Sequence, residues 1–223
     1  MDTVLFTFLT IAYTILLVLA IKVLRNYKVL STLLLLPVIV GLIYENGIIS
    51  TGRFIGKGPL LEGLNLARFW IHAFFTPLLV LYAWKTLEQA EVQWASKNWV
   101  RIFALLLTAS LILMELFTVV IGLNIEASIE YGVLSYSSNE PSSGPPIMVL
   151  IVSVVLLVSS LIIWRRQEWI WFFIGSLLMI VGSAIQLPVD SGAITNFFEL
   201  ILISSLLGTA YFQRKVHKPI KGG

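Results

Sequence analysis

Cysteine is absent, which excludes disulfides, thiolate metal sites and cysteine nucleophiles. Histidine is nearly so: only His72 and His217 are present, and since a zinc site normally takes at least three protein ligands, His72 with Glu45, Glu115 and Glu199 would be an unusual set. Charge is scarce as well, at 12% of residues against about 25% in soluble domains. What fills the chain is apolar, 58% by composition with a mean hydropathy of +0.93. Repeated runs of about 17 to 25 apolar residues cannot be hidden in one soluble core, whereas that length crosses hydrocarbon as helix. The composition therefore predicts an all-α, polytopic membrane protein built as one transmembrane domain.

Seven spans follow from apolar length: 3–24, 29–44, 67–84, 99–122, 147–164, 169–187 and 196–212, with a basic tail at 213–223. The start, MDTVLF, has no basic segment and no small-residue cleavage site, so it reads as the first span and not as a removable signal.

Twelve of the fifteen Lys and Arg residues fall in the first, third and fifth links and the tail. Only Arg53, Lys57 and Arg68 fall on the other side. The positive-inside rule then puts the N-terminus outside and the C-terminus inside, in a plasma or cytoplasmic membrane. Six of the seven tryptophans, Trp84, Trp94, Trp99, Trp164, Trp169 and Trp171, lie at the inner interface this implies. The link 85–98 spaces its apolar residues for a short surface helix or runs as a polar loop. The link 124–145 is rich in Ser, Pro and acidic residues, as a solvated loop is, and Ile125, Ile129, Val133 and Leu134 suggest that part of it folds back as a lid.

Small residues of the sixth and seventh spans, and a row of Thr3, Thr7, Thr10 and Thr14 on the first, read as helix-packing and interhelical bonding positions. No repeat of the kind found in many carriers relates the first three spans to the last three.

Polar residues at membrane depth collect in the outer half. Glu45 and Asn46 end the second span, Arg68 and His72 begin the third, Glu115 lies toward the outer end of the fourth, Gln186 ends the sixth and Glu199 begins the seventh. A charged group in mid-span costs about 2.5 to 3.5 kcal/mol, so these residues should face each other or a wet cavity. Arg68, His72 and Thr76 recur every four residues on one helix face, and Pro77 frees a carbonyl one turn back. Glu115, alone in its apolar run, needs a partner or a proton, and Arg68 and His72 are the basic candidates at its depth. The link GIISTGRFIGKGPLLEG surrounds Arg53 and Lys57 with glycines, either as an anion-binding backbone or as a plain turn.

Several functions are excluded. The last span, NFFELILISSLLGTAYF, has no lysine for the retinal Schiff base of a microbial rhodopsin, and the histidine count excludes the zinc set of seven-span hydrolases of the alkaline ceramidase and adiponectin-receptor type. No metal, cofactor or nucleic-acid partner is expected; the bilayer is. The candidate ligand-binding residues are Glu45, Asn46, Arg53, Arg68, His72, Glu115 and Glu199. They suit an outward-facing pocket that binds or transports a small anion or a lipid headgroup. The alternatives are a lipid-modifying membrane enzyme with Glu115 and His72 as acid and base, and an assembly protein without a ligand.

Overall fold

The computed structural model describes residues 2–138, 147–184 and 191–214. The described helices are α1 (Asp2–Tyr27), α2 (Leu30–Ile55), α3 (Pro59–Phe75), α4 (Leu78–Gln89), α5 (Asn98–Glu115), α6 (Ile147–Gln167), α7 (Trp171–Ala184) and α8 (Ile194–Gln213). One π turn, Leu116–Val120, continues α5. Helices α3 and α4 form a single run broken at Thr76 and Pro77, because proline cannot donate to the helical ladder. That run, α1, α2, α5 with its π turn, α6 and α8 are six stretches long and apolar enough to cross a bilayer. The seventh apolar helix, α7, has 14 described residues. Large apolar side chains such as Ile11, Ile15, Phe103, Leu106 and Val158 point outward, a surface that only lipid suits. The chain is a multi-pass integral membrane protein.

Three stretches depart from the sequence expectation. The second helix does not stop at Tyr44 but runs on to Ile55, so Glu45 and Asn46 lie inside it and the third begins at Pro59. Glycine misled here: Gly47 and Gly52 are packing positions on a helix, and only the segment around Gly56, with φ of 81°, makes the turn. Of the link 85–98, residues 85–89 continue α4 and only 90–97 form hydrogen-bonded turns, with Trp84 Nε1 donating to the Ala95 carbonyl at 2.9 Å.

The third departure is the link 124–145, expected as a solvated loop, whose described part forms an antiparallel hairpin of β1 (Ile125–Glu130) and β2 (Val133–Ser138). Tyr131 and Gly132 both have positive φ, 47° and 85°, which matches a two-residue turn to the twist of the strands. Strand β2 turns Leu134 and Tyr136 onto Leu61 of α3, beside Ile48 and Ile55 of α2. The hairpin thus covers the ends of α2 and α3. Tyr136 fixes it there, its hydroxyl accepting from the Gly58 N–H at 3.2 Å. Of the four residues expected to fold back, Val133 and Leu134 are buried while Ile129 is 70% exposed.

The two ends of the bundle differ in chemistry. At one, buried Asp2 accepts from Ser191 Oγ and the Gly192 N–H, and the Thr3 and Arg53 side chains both donate to the Gly132 carbonyl. The other end gathers the basic links: Arg166 donates to the carbonyls of Ala90 and Glu91, and Gln213 bonds Thr86 and Gln167. Lys85 and Glu88 form an ion pair there.

Between the ends, α7 lies close against α8 because Gly175 faces Ser205 and Gly182 faces the Phe198 ring, leaving no room for a Cβ at either glycine. The threonine row of α1 serves its own helix: Thr7, Thr10 and Thr14 donate to the carbonyls of Thr3, Phe6 and Thr10. Residues 185–190, with Gln186, and most of the tail lie outside the described residues.

Candidate functional site

The polar residues of the hairpin half form two linked groups. The first joins α1, α2 and α8. Asn46 is fully buried and donates Nδ2 to the Leu42 carbonyl of its own helix at 2.8 Å, which orients its side-chain oxygen toward α8. That oxygen accepts from Asn196 Nδ2 at 3.0 Å, and the Asn196 carbonyl accepts from the Tyr13 hydroxyl at 3.2 Å. Glu199 sits one turn further along α8, half-buried, and shares electrostatic reach with Glu45 and Tyr13.

The second group lies between α2, α3 and α5. Arg68 Nη2 meets Glu45 Oε1 at 3.4 Å while Nη1 donates to Asn65 Oδ1 at 2.6 Å. Asn65 is held for this by donating Nδ2 to the Leu61 carbonyl at 2.8 Å. Glu45 thereby belongs to both groups, one residue before Asn46 and opposite Arg68. The side chains of Arg68 and Glu45 are 15% and 27% exposed, so their pair is neither a surface contact nor a fully desolvated one.

One turn along α3 from Arg68, His72 Nδ1 lies 3.3 Å from Thr76 Oγ1 at the proline break. Glu115 is 7% exposed, the last α-helical residue before the π turn, and within electrostatic reach of His72. No hydrogen bond reaches its carboxylate among the described residues. A π turn inserted beside a buried carboxylate is the kind of helix irregularity that accompanies functional positions.

The structure thus brings together Glu45, Asn46, Arg68, His72, Glu115 and Glu199 across four helices. Arg53 stands apart. It is exposed on the last turns of α2, eight residues or about 12 Å along the helix from Glu45, and donates to the hairpin turn at Gly132. Tyr13, Asn65 and Asn196 are members that the sequence reading passed over. The signal for them was present, since each is an uncharged polar group inside an apolar run, but charge drew attention first.

Two cavities, of about 360 and 400 Å³, lie at the opposite, basic end, one by Lys28, Lys85 and Glu88 and the other between α1 and α8. Among the described residues no three His, Asp or Glu side chains gather closely enough to hold a metal ion. Comparison with protein-family models, with curated proteins and with solved structures finds no match.

Proposed function

We propose that this is a seven-span membrane protein, hairpin and N-terminus outside and basic end in the cytoplasm, whose outer polar cluster binds and releases a proton in a transport-type role. The observation that carries this is the charge balance of the cluster. The one guanidinium, Arg68, is engaged by Glu45 and Asn65, while Glu199 lies within electrostatic reach of Glu45, and Glu115 within reach of His72 alone. Surplus negative charge at membrane depth calls for a positive occupant.

An anionic ligand, the expectation from sequence, has fewer supports. Arg53 is turned to the hairpin, and the cations left in the cluster are outnumbered. A lipid-modifying enzyme would need Glu115 and His72 bonded to one substrate atom, and their relation here is electrostatic reach alone. A second reading, helix tethering, is favoured by the Tyr13, Asn196 and Asn46 chain, whose polar groups satisfy one another.

The test is the melting temperature of the detergent-solubilised protein across pH 8 to 5. A proton bound preferentially by the folded state stabilises it by mass action, so the wild type should melt higher as the pH falls and Glu199→Gln should abolish that rise. A wild type indifferent to pH would end the proton reading and leave tethering.

A further inference from the structure

We propose that the groove between α1 and α8 at the basic end is a binding site for one anionic phospholipid, with an acyl chain in the groove and the phosphodiester between Lys22 and Arg214. The groove encloses about 400 Å³. Its walls are apolar: Leu16, Leu19 and Val23 of α1 face Leu207 and Gly208 of α8. Gly208 contributes only backbone there, and a Cβ on it would meet nothing nearer than the Trp169 ring at 3.9 Å. From Leu16 to Val23 the wall extends about 10 Å along the helix axis, along which an acyl chain lies parallel to α1.

Polarity changes at one end. Lys22, Asn26, Tyr27 and Tyr211 form the rim nearest the basic face, with Lys22 and Asn26 one turn apart on α1. Arg214 closes that rim, its guanidinium 4.5 Å from the Tyr27 ring centroid and 3.2 Å from that of Tyr211. The stacking fixes the plane of the guanidinium and leaves its edges for hydrogen bonding.

Among the described residues no carboxylate pairs with Lys22 or Arg214, the ion pairs being Arg68 with Glu45 and Lys85 with Glu88. Two cations at one rim without a carboxylate partner fit a phosphodiester, which accepts from guanidinium and ammonium together. The absence of a paired acid at the rim selects the headgroup. A zwitterionic lipid would bring an ammonium with no partner there, whereas an anionic one brings only acceptors. The site rests on the chain being embedded in a bilayer and is independent of the outer cluster.

The experiment uses the full-length protein in detergent, with phosphatidylglycerol or phosphatidylcholine of identical chains added and the melting temperature read. Phosphatidylglycerol should raise it by several degrees more than phosphatidylcholine. Lys22→Gln and Arg214→Gln, both at the exposed or partly exposed rim, should fold and each shrink that difference, while Arg214→Lys should keep part of it. Gly208→Leu, which fills the groove, should blunt the response to both lipids.

The tail also carries Lys215, Lys218 and Lys221, so a full-length variant with all three changed to Gln is the necessary companion. It should retain the preference. Equal responses to the two lipids in the wild type, a preference that survives Lys22→Gln with Arg214→Gln, or its loss in the tail variant would overturn the site. So would glycerol 3-phosphate alone matching the lipid, since the acyl groove would then have no role.

Discussion

Asn46 and Asn196, 150 positions apart, share a hydrogen bond at 3.0 Å that ties the middle of α2 to the first turn of α8. The Asn46 amide also donates to the Leu42 carbonyl, and the backbone carbonyl of Asn196 accepts from Tyr13, so the bond is one link in a chain across three helices. Such bonds are worth about 0.6 to 2 kcal/mol in membrane proteins. Asn46→Leu and Asn196→Leu should each destabilise, because each leaves the other amide unpaired away from water. The double variant should lose less than the two singles added together, with a coupling of about 0.5 to 2 kcal/mol. Strict additivity in denaturant melts would show that the two amides do not depend on each other.

How much of this was legible beforehand divides by the kind of signal. Apolar length located the long helices, because a span must satisfy every backbone group internally and can do so only as an uninterrupted apolar run. The end of α2 was lost for a physical reason. Gly47, Gly52 and Gly56 look alike in sequence, yet the first two lie within the helix and only Gly56 takes the positive φ of a turn. The hairpin was lost because Ser, Pro and Glu around it resemble solvent loop, while the residues that decide its packing, Leu134 and Tyr136, act through Leu61, some seventy positions earlier. In the polar cluster, charge marked Glu45, Arg68, Glu115 and Glu199. It did not mark Asn65 or Asn196, whose roles depend on which helices become neighbours.

Arg68 gives a sharper test of the cluster. Removing one partner of a half-buried pair leaves the other charge without compensation, which costs more than removing both. Arg68→Ala should therefore destabilise by about 1 to 3 kcal/mol, below the figure for a fully buried pair because the two side chains keep some contact with solvent. Adding Glu45→Gln to it should recover part of the loss. If the second change instead deepened the defect, Glu45 would have to be held by a group other than Arg68.

Orientation is checked without purification. Twelve of the fifteen Lys and Arg residues lie in the links and tail assigned to one side, and the structure gathers the described ones among these links at one end of the bundle. A reporter active only in the cytoplasm should work when fused after Gly223 and stay silent when inserted at Ser142. The reverse result would place the hairpin in the cytoplasm and invert the proposed direction of access to Glu115 and Glu199.

Gly52 tests whether the hairpin is seated as a lid on the helices. It is buried in the last turn of α2, and the position a Cβ would take there is filled by the carbonyl oxygen of Leu134 in β2, backbone that no rotamer change can move aside. Gly52→Ala must push the strand off α2 and strain the contacts of Leu134 and Tyr136 with Leu61, so it should cost about 1 to 3 kcal/mol, as overpacking does. Gly63, inside α3, is the control, since a Cβ there meets nothing within 4 Å. Its change to Ala should be neutral or stabilising by up to about 1 kcal/mol, because alanine is the better helix former and less free when unfolded. Limited proteolysis adds a local readout: Gly52→Ala should expose the hairpin to cleavage while the spans stay protected, and Gly63→Ala should leave the pattern unchanged. A Gly52→Ala protein as stable and as protease-resistant as the wild type would mean that β2 does not rest on α2.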